Sequence, residues 1–289
     1  MTSWWVAIPA AVAGSACFGT TGALQHRTAR RTRGQGAVRI GILRSLAAQP
    51  LWLASLAFNA TGVVLQWVAL SMAPLVLVQP LLALGLMFAV LVSGALARRR
   101  PDRIVLAGTG LTVVGIAGFL VIARPGPGTD RPTLGVVLPS AAVLAALIAV
   151  CLVVAARRSG RPRALALGTA TGLLFGVTAC LAKLTAGDFA HGLVAALTNW
   201  PLYAVVGCGL AGFLLSQNAF RAGIAMAPAL ALMLSLDPLA SVFIGAVWLG
   251  EQFAHTPLAL AGEACALAVL FTGIAVLSTR APQAARAER

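Results

Sequence analysis

Two polar residues that precede prolines lie inside otherwise apolar stretches of this chain. Asp237 precedes Pro238, and Gln79 precedes Pro80 at an offset of 158 residues. Proline removes a backbone donor and disfavours helix in the residue before it, so each step is expected to free carbonyl groups for a ligand. An ionisable side chain in hydrocarbon costs roughly 2.5 to 3.5 kcal/mol and persists mostly for function. The pattern predicts substrate-binding or coupling groups at both steps.

Other polar residues in apolar stretches are weaker candidates for the same site. Asn59 and Gln66 are seven positions apart, so they share one helix face and would line a cavity or hydrogen-bond a neighbouring helix. Glu263 is the second ionisable candidate, and Gln217 ends an apolar stretch. A structural explanation stays open for Asp237, as the cap of a kinked helix or a residue close to the cytoplasmic end, and a structural role stays equally open for Gln79.

Two charged residues and most tryptophans stand near the ends of apolar stretches. Lys183 is expected to extend toward the outer interface, and Glu251 is interpreted as a structural or gating residue. Trp67 does not fit the position of an interfacial anchor. The tryptophans interpreted as such anchors are Trp4, Trp5, Trp52, Trp200 and Trp248.

The composition indicates an integral membrane protein. Of the 289 residues 60% are apolar and 10% are charged, and the mean hydropathy is +0.93. Apolar stretches of about 20 residues are long enough to cross a ~30 Å hydrocarbon core as helices. They are continuously apolar, which excludes a barrel. The nine predicted spans are 4–24, 50–70, 74–96, 104–123, 134–156, 164–186, 200–217, 226–249 and 257–277.

The first span recurs later in the chain. Residues 12–24 read VAGSACFGTTGAL and residues 169–181 read TATGLLFGVTACL, an offset of 157. Near the ends of the two halves, a Gly-Ile-Ala step at 115–117 returns at 273–275. A small residue at every fourth position also repeats and predicts close helix packing. The residues of these two small faces are Ala11, Ser15 and Gly19 in the first half and Gly168, Gly172 and Gly176 in the second.

The basic residues predict the topology. The net charge is +14, but all basic residues except Arg124, Arg131 and Lys183 fall in alternate loops or the tail, so no nucleic-acid partner is expected. The N-terminus is predicted outside and the C-terminus in the cytoplasm. The two copies then cross in opposite directions, which makes an inverted repeat. The predicted units are a first repeat (1–133), a connecting span with a basic loop (134–163), a second repeat (164–279) and a tail (280–289).

No enzyme motif is present in the sequence. It contains no HExxH, GxSxG or repeated Asp motif, so no catalytic residue is assigned. The five cysteines lie inside predicted spans without metal-ligand spacing, so no metal site, disulfide or cofactor is expected. The expected partners are the lipid bilayer and a small-molecule or ion substrate, and a homodimer is left open. Twenty arginines against one lysine favour a GC-rich bacterial genome and hence a bacterial plasma membrane.

Two long segments resemble a known transporter superfamily. Residues 217–252, QNAFRAGIAMAPALALMLSLDPLASVFIGAVWLGEQ, contain an early Ala-Phe, a mid-helix proline and a closing Gly-Glu. Residues 50–84, PLWLASLAFNATGVVLQWVALSMAPLVLVQPLLAL, contain an APxxLVxPLxAL segment. The chain is similar to the drug/metabolite transporter superfamily, with an EamA-like second half and a first half closer to the NIPA magnesium-transporter branch. This resemblance implies two inverted repeats. Val63 stands where the NIPA pattern has glutamate, which counts against magnesium because that ion prefers carboxylate oxygens.

The sequence therefore predicts a secondary transporter that moves a small metabolite or drug-like solute by alternating access. No nucleotide-binding motif is present, so a gradient is expected to supply the energy. Protonation of Asp237 would compete with a cationic or polar substrate, giving proton-coupled export. The alternatives are a NIPA-like transporter of Mg²⁺ or another divalent cation and a membrane sensor or scaffold without transport.

Overall fold

A computed structural model describes residues 4–31, 50–98, 102–124, 126, 128, 134–220, 226–252 and 256–286. Every regular element in these ranges is an α-helix. This is expected in lipid, where a helix satisfies its own backbone polar groups. The helices are α1 (Trp4–Arg31), α2 (Pro50–Met72), α3 (Leu75–Leu82), α4 (Gly85–Leu96), α5 (Arg103–Ala123), α6 (Leu134–Arg157), α7 (Gly160–Ala190), α8 (Leu193–Thr198), α9 (Trp200–Phe220), α10 (Met226–Leu249) and α11 (Pro257–Arg286).

The apolar helices make the chain a multi-pass, all-α membrane protein. Within the described residues, eight helical segments are long and apolar enough to cross a membrane. They coincide with eight of the predicted spans, and α3 and α4 together form one of them. At the remaining predicted span, the apolar part of α9 is the shorter segment Trp200–Ser216. Residues 32–49, which hold part of the first basic loop, and the last residues of the tail lie outside the described ranges.

The two polar-proline steps differ in their helices. After Pro80, α3 ends at Leu82 and α4 begins at Gly85, and the intervening Leu84 N–H donates to the Leu81 carbonyl at 3.2 Å. This tightened turn lets the backbone of Gly85 approach the Ser15 carbonyl of α1. In contrast, α10 continues through Pro238. The helix break expected at both steps is therefore present only in the first half.

The two faces of small residues lie against neighbouring helices. In the second half, Gly168, Gly172 and Gly176 lie directly against α10, where Ala229, Met233 and Ala240 face them. In the first half, Gly19 lies against Gly85 and Ala89 of α4, and Ala11 and Ser15 are buried. The absence of a bulky side chain lets the backbones approach closely. Both faces therefore lie against a neighbouring helix in the structure.

Each half also contains an aromatic ring packed on a glycine. The Phe18 ring of α1 covers Gly62 of α2, and the Phe175 ring of α7 covers Gly212 of α9. Phe18 and Phe175 are matched at the 157-residue offset of the sequence repeat. The same local contact therefore joins α1 to α2 and α7 to α9.

The antiparallel helices α5 and α11 cross at two matched glycines. Gly115 lies against the backbone of Leu270, and Gly273 lies against Thr112. At the 158-residue offset Gly115 is matched with Gly273, and Thr112 is matched with Leu270. The crossing is thus the same contact made twice, once from each half.

A substitution on the small-residue face of α7 tests this packing. A Cβ atom on Gly176 would lie 2.5 Å from the Cβ of Ala240 and 3.0 Å from the Ser241 nitrogen. We expect Gly176→Ala to lower the free energy of unfolding by about 1 to 3 kcal/mol through overpacking. Gly187 on the same helix has no atom within 4 Å of its Cβ position, so Gly187→Ala should be neutral or stabilising. Thermal unfolding in one detergent compares the two, and equal midpoints would contradict the described packing.

Candidate functional site

The most strongly bonded polar side chain of the described core is Glu251, just beyond the end of α10. The helix ends at a glycine, Gly250, with a left-handed φ of 61°, and the Glu251 N–H donates to the Gly245 carbonyl at 3.1 Å. A left-handed glycine at this position makes a turn that ends the helix and reverses the chain. The turn directs the Glu251 side chain back into the bundle, where the whole residue is 3% exposed.

The Glu251 carboxylate caps the start of α3. It accepts hydrogen bonds from the backbone N–H of Leu75 at 2.7 Å and from that of Val76 at 3.0 Å. The residue before this helix, Pro74, supplies no side-chain cap. The first N–H groups of any helix lack partners within the helix, and its N-terminus favours an anion. The acceptor that the start of α3 needs is therefore supplied by a residue 175 positions away.

Lys183 of α7 completes this arrangement. Its ammonium group donates to Glu251 Oε1 at 2.6 Å and to the Ala73 carbonyl at 3.2 Å, and its side chain is 13% exposed. Lys183 was expected to extend toward the outer interface, and in the structure its ammonium group bonds a buried carboxylate and a backbone carbonyl of another segment. We call Ala73, Leu75, Val76, Lys183 and Glu251 the Glu251 cluster.

Two glycines make room for the Glu251 side chain. A Cβ atom on Gly245 would lie 2.8 Å from Glu251 Oε2, and one on Gly128 would lie 2.9 Å from Glu251 Cγ. The segment after α5 is held over this point, since the Gly126 N–H donates to the Gln252 carbonyl at 2.8 Å. The ion pair is therefore enclosed by parts of both halves.

Two tryptophans form contacts near the same end of the bundle. Trp67 of α2 packs on Phe189 of α7 with 5.6 Å between ring centroids. Trp248 is buried, and its indole N–H donates to the Ser140 hydroxyl of α6 at 2.7 Å. Trp67 had no explanation from the sequence. Trp248 was interpreted as an interfacial anchor, which is wrong because its side chain is buried and its indole N–H bonds another helix.

The predicted polar-proline residues are in the interior of the bundle. Gln79 is 3% exposed, and within the described part of the chain its Nε2 has no hydrogen-bond partner. Asp237 is half-buried, whereas Pro80 and Pro238 are buried. The Ser241 hydroxyl donates to the Asp237 carbonyl at 2.7 Å and lies 3.4 Å from its Oδ1.

The helices that carry these residues are antiparallel neighbours. The start of α3 lies beside the end of α10, where the Cβ position of Gly245 is 3.2 Å from Leu75 Cβ. Residues four apart share one face of a helix, and four residues cover the same axial length on both helices. Gln79 therefore comes to the level of Ser241, with Asp237 one turn farther along α10.

The remaining predicted site residues lie on other helices. Asn59 and Gln66 are half-buried on α2, and the backbone of Gln66 lies beside Gly14 of α1. Glu263 is buried on α11, one turn before Ala266, which packs in a cluster with Val76 of α3. The side chain of Gln217 lies outside the described residues.

The Glu251 cluster was not predicted as a unit from the sequence. One signal was available, because an isolated base and an isolated acid each stand at the end of an apolar span, and the predicted topology puts both ends on one side. That reasoning would have suggested a pair, but the bonds to Leu75 and Val76 have no local signal. They depend on how the two halves meet.

The fold and this enclosed polar cluster define a multi-pass helical membrane protein whose halves are joined by buried polar bonds. The chain is 30% identical over 267 residues to an uncharacterized protein of Corynebacterium glutamicum, covering 92% of each chain. It belongs to the same family as that protein. No family model matches the chain. No solved structure matches it either.

Proposed function

We propose that this protein is a secondary transporter that moves a small solute across the bacterial plasma membrane by alternating access. Two inverted repeats, spans one to four and spans six to nine, would rock against each other. The connecting helix α6 would invert the second copy. The observation that carries the proposal is the Glu251 cluster, a small set of breakable polar bonds that joins the two halves at one end.

The pairing of helices supports the repeat. The Phe18–Gly62 and Phe175–Gly212 contacts are the same interaction in each half. The α5–α11 crossing is self-complementary, as expected where a pseudo-twofold axis passes between equivalent helices. An axis of this kind in the membrane plane relates two states that open on opposite sides.

The Glu251 cluster would act as a gate on the outer side. The distribution of basic loops puts the end of span eight and the end of span six, with Glu251 and Lys183, outside. With the cluster closed, outside access is blocked. Opening requires the Lys183 ammonium group to leave the carboxylate, and the α3 N–H groups to become exposed.

The polar-proline steps would be the central site. In antiparallel α3 and α10, Leu81 reaches the level of Leu239, and these are equivalent positions in the two halves. Gln79 and Asp237 therefore flank the proposed axis. Protonation of Asp237 would couple the solute to a proton gradient, most simply in export.

Release from liposomes tests the proposed function. Purified protein is reconstituted in vesicles loaded with pooled amino acids, nucleobases, amines and Mg²⁺, and the retained contents are measured by mass spectrometry over time. We expect at least one component to leave faster than from protein-free vesicles, and faster still with an opposing proton gradient. Asp237→Asn should lose the proton dependence and about tenfold or more of the rate.

The outcomes separate the alternatives. Loss of Mg²⁺ alone would replace the solute carrier with the cation transporter, as the first-half resemblance implies. Contents identical to those of protein-free vesicles, together with a ligand-induced rise in thermal stability, would replace transport with sensing. The matched control is Asp188→Asn, because in the part of the chain that the structure describes the Asp188 side chain bonds only Asn199.

A further inference from the structure

We infer that Gln79 and Asp237 select a protonated amine that also carries an uncharged hydrogen-bond acceptor. This inference rests on the proposed function and assigns the substrate class of its central site. The juxtaposition behind it, among the residues that the structure describes, is a side-chain donor without a partner on α3 and a carboxylate without a paired cation on α10, at adjacent levels of two contacting helices.

The Gln79 amide supplies the unpartnered donor. Its Nε2 carries two N–H donors, the residue is 3% exposed, and the described residues provide no acceptor for them. A buried donor left without a partner is costly, and most such groups in native proteins are bonded to protein, water or ligand. An incoming acceptor oxygen would remove that cost, so this position favours an acceptor-bearing solute.

The Asp237 carboxylate supplies the negative charge. No lysine or arginine in the described ranges pairs with it. The Ser241 hydroxyl, whose hydrogen is donated to the Asp237 backbone carbonyl, lies 3.4 Å from the carboxylate Oδ1. Lys183, a basic residue that lies within a predicted span, is already bonded to Glu251. A half-buried carboxylate in an apolar bundle favours neutralisation, either by a cationic group of the substrate or by a proton.

The axial separation of Gln79 and Asp237 indicates the length of the solute. Gln79 lies level with Ser241, and Asp237 is one helical turn beyond, about 6 Å along the axis. A molecule with a few bonds between its amine and its acceptor spans this axial separation. Such a molecule is the size of a small amino amide or amino alcohol.

The acceptor is expected to be uncharged. Asp237 and the buried Glu263 on the neighbouring helix α11 both carry carboxyl groups, and α11 packs against α10. A second anion brought by the solute would be repelled in this low-dielectric setting. An amide carbonyl or a hydroxyl therefore fits better than a carboxylate.

Four small probes of similar size test this class on the full-length protein. Glycinamide has an amine and a neutral acceptor, propylamine lacks the acceptor, propionamide lacks the charge, and glycine has a charged acceptor. Their affinities are measured by the rise in thermal unfolding midpoint with concentration. We expect glycinamide to bind at least tenfold more tightly than each of the other three.

Two conservative variants assign the roles. Gln79→Met keeps the side-chain length and removes the unpartnered donor, so it should fold with equal or greater stability and bind glycinamide and propylamine equally. Asp237→Asn should bind glycinamide and propionamide equally. A Gln79→Met variant that keeps the wild-type preference for glycinamide over propylamine would overturn the inference.

The failure of this inference is distinct from that of the proposed function. If vesicles release only uncharged or anionic solutes and glycinamide shows no preferential binding, the transporter stands and the substrate class is wrong. If glycinamide binds with the expected variant pattern but no component leaves the vesicles, the site is correct and transport is wrong.

Discussion

Replacing Glu251 with alanine is expected to lower the free energy of unfolding by about 3 to 5 kcal/mol, the usual cost of breaking a buried ion pair. The change leaves the Lys183 ammonium group without its carboxylate and removes the acceptor of two α3 N–H groups. It should also open the outer side. Cys180, fully buried one turn before Lys183, would then become reachable by a membrane-impermeant maleimide. We expect its labelling to rise more than tenfold, since about 1.4 kcal/mol already changes a population tenfold.

The labelling is measured in a variant whose other four cysteines are serine. Lys183→Met combined with Glu251→Gln leaves no unpaired charge and keeps an oxygen near α3, so it should recover most of the lost stability. Asp188→Asn on the same helix is the matched control and should leave both readouts unchanged. If Glu251→Ala unfolds at the wild-type midpoint with Cys180 still protected, the Glu251 cluster does not hold the two halves together.

The crossing of α5 and α11 gives the second large effect. A Cβ atom on Gly115 would overlap the backbone of Leu270, and backbone cannot move aside as a flexible side chain can. We expect Gly115→Ala to lower the free energy of unfolding by about 3 kcal/mol, the upper end for overpacking. Thermal unfolding in detergent and the yield of monodisperse protein both report this loss.

Two companion variants sharpen this result. Gly273→Ala should be as harmful as Gly115→Ala, because it places a methyl group against Thr112 at the equivalent point of the crossing. Gly110→Ala on the same helix α5 has open space around its Cβ position and should be neutral or slightly stabilising. Unequal losses at Gly115 and Gly273 would argue against a self-complementary crossing.

The spans were predictable because membrane insertion depends on local apolar length. The small faces on α1 and α7 were predictable for a similar reason, since a small residue at every fourth position lies on one helix stripe. Their partners were not, because any neighbouring helix could fill such a stripe. The structure assigns α4 to Gly19 and α10 to Gly176.

The polar interior was less predictable. Gln79 and Asp237 were expected inside the bundle, and the structure has Gln79 buried and Asp237 half-buried. The helix break after Pro80 was expected to have a counterpart at Pro238, but α10 is continuous. In the first half Gly85 permits close contact with α1 at the break, whereas the equivalent residue of the second half is a partly exposed phenylalanine, Phe243.

Lys183 shows the limit of local rules. A lysine near the end of an apolar span is usually expected to extend to the interface, and that rule considers only its own helix. Its partner, Glu251, is 68 positions away and is oriented by a turn around Gly250. The bonded arrangement depends on the packing of three helices, which hydropathy does not encode.

The capping of α3 by Glu251 also constrains the order of biosynthesis. The chain enters the membrane from its N-terminus, so the Leu75 and Val76 N–H groups are inserted long before the residue that caps them is synthesised. N-terminal units usually fold first, but this one remains incomplete until the end of α10 has emerged. The first half expressed alone would keep an uncapped helix start at this point, and adding the second half as a separate polypeptide should stabilise it.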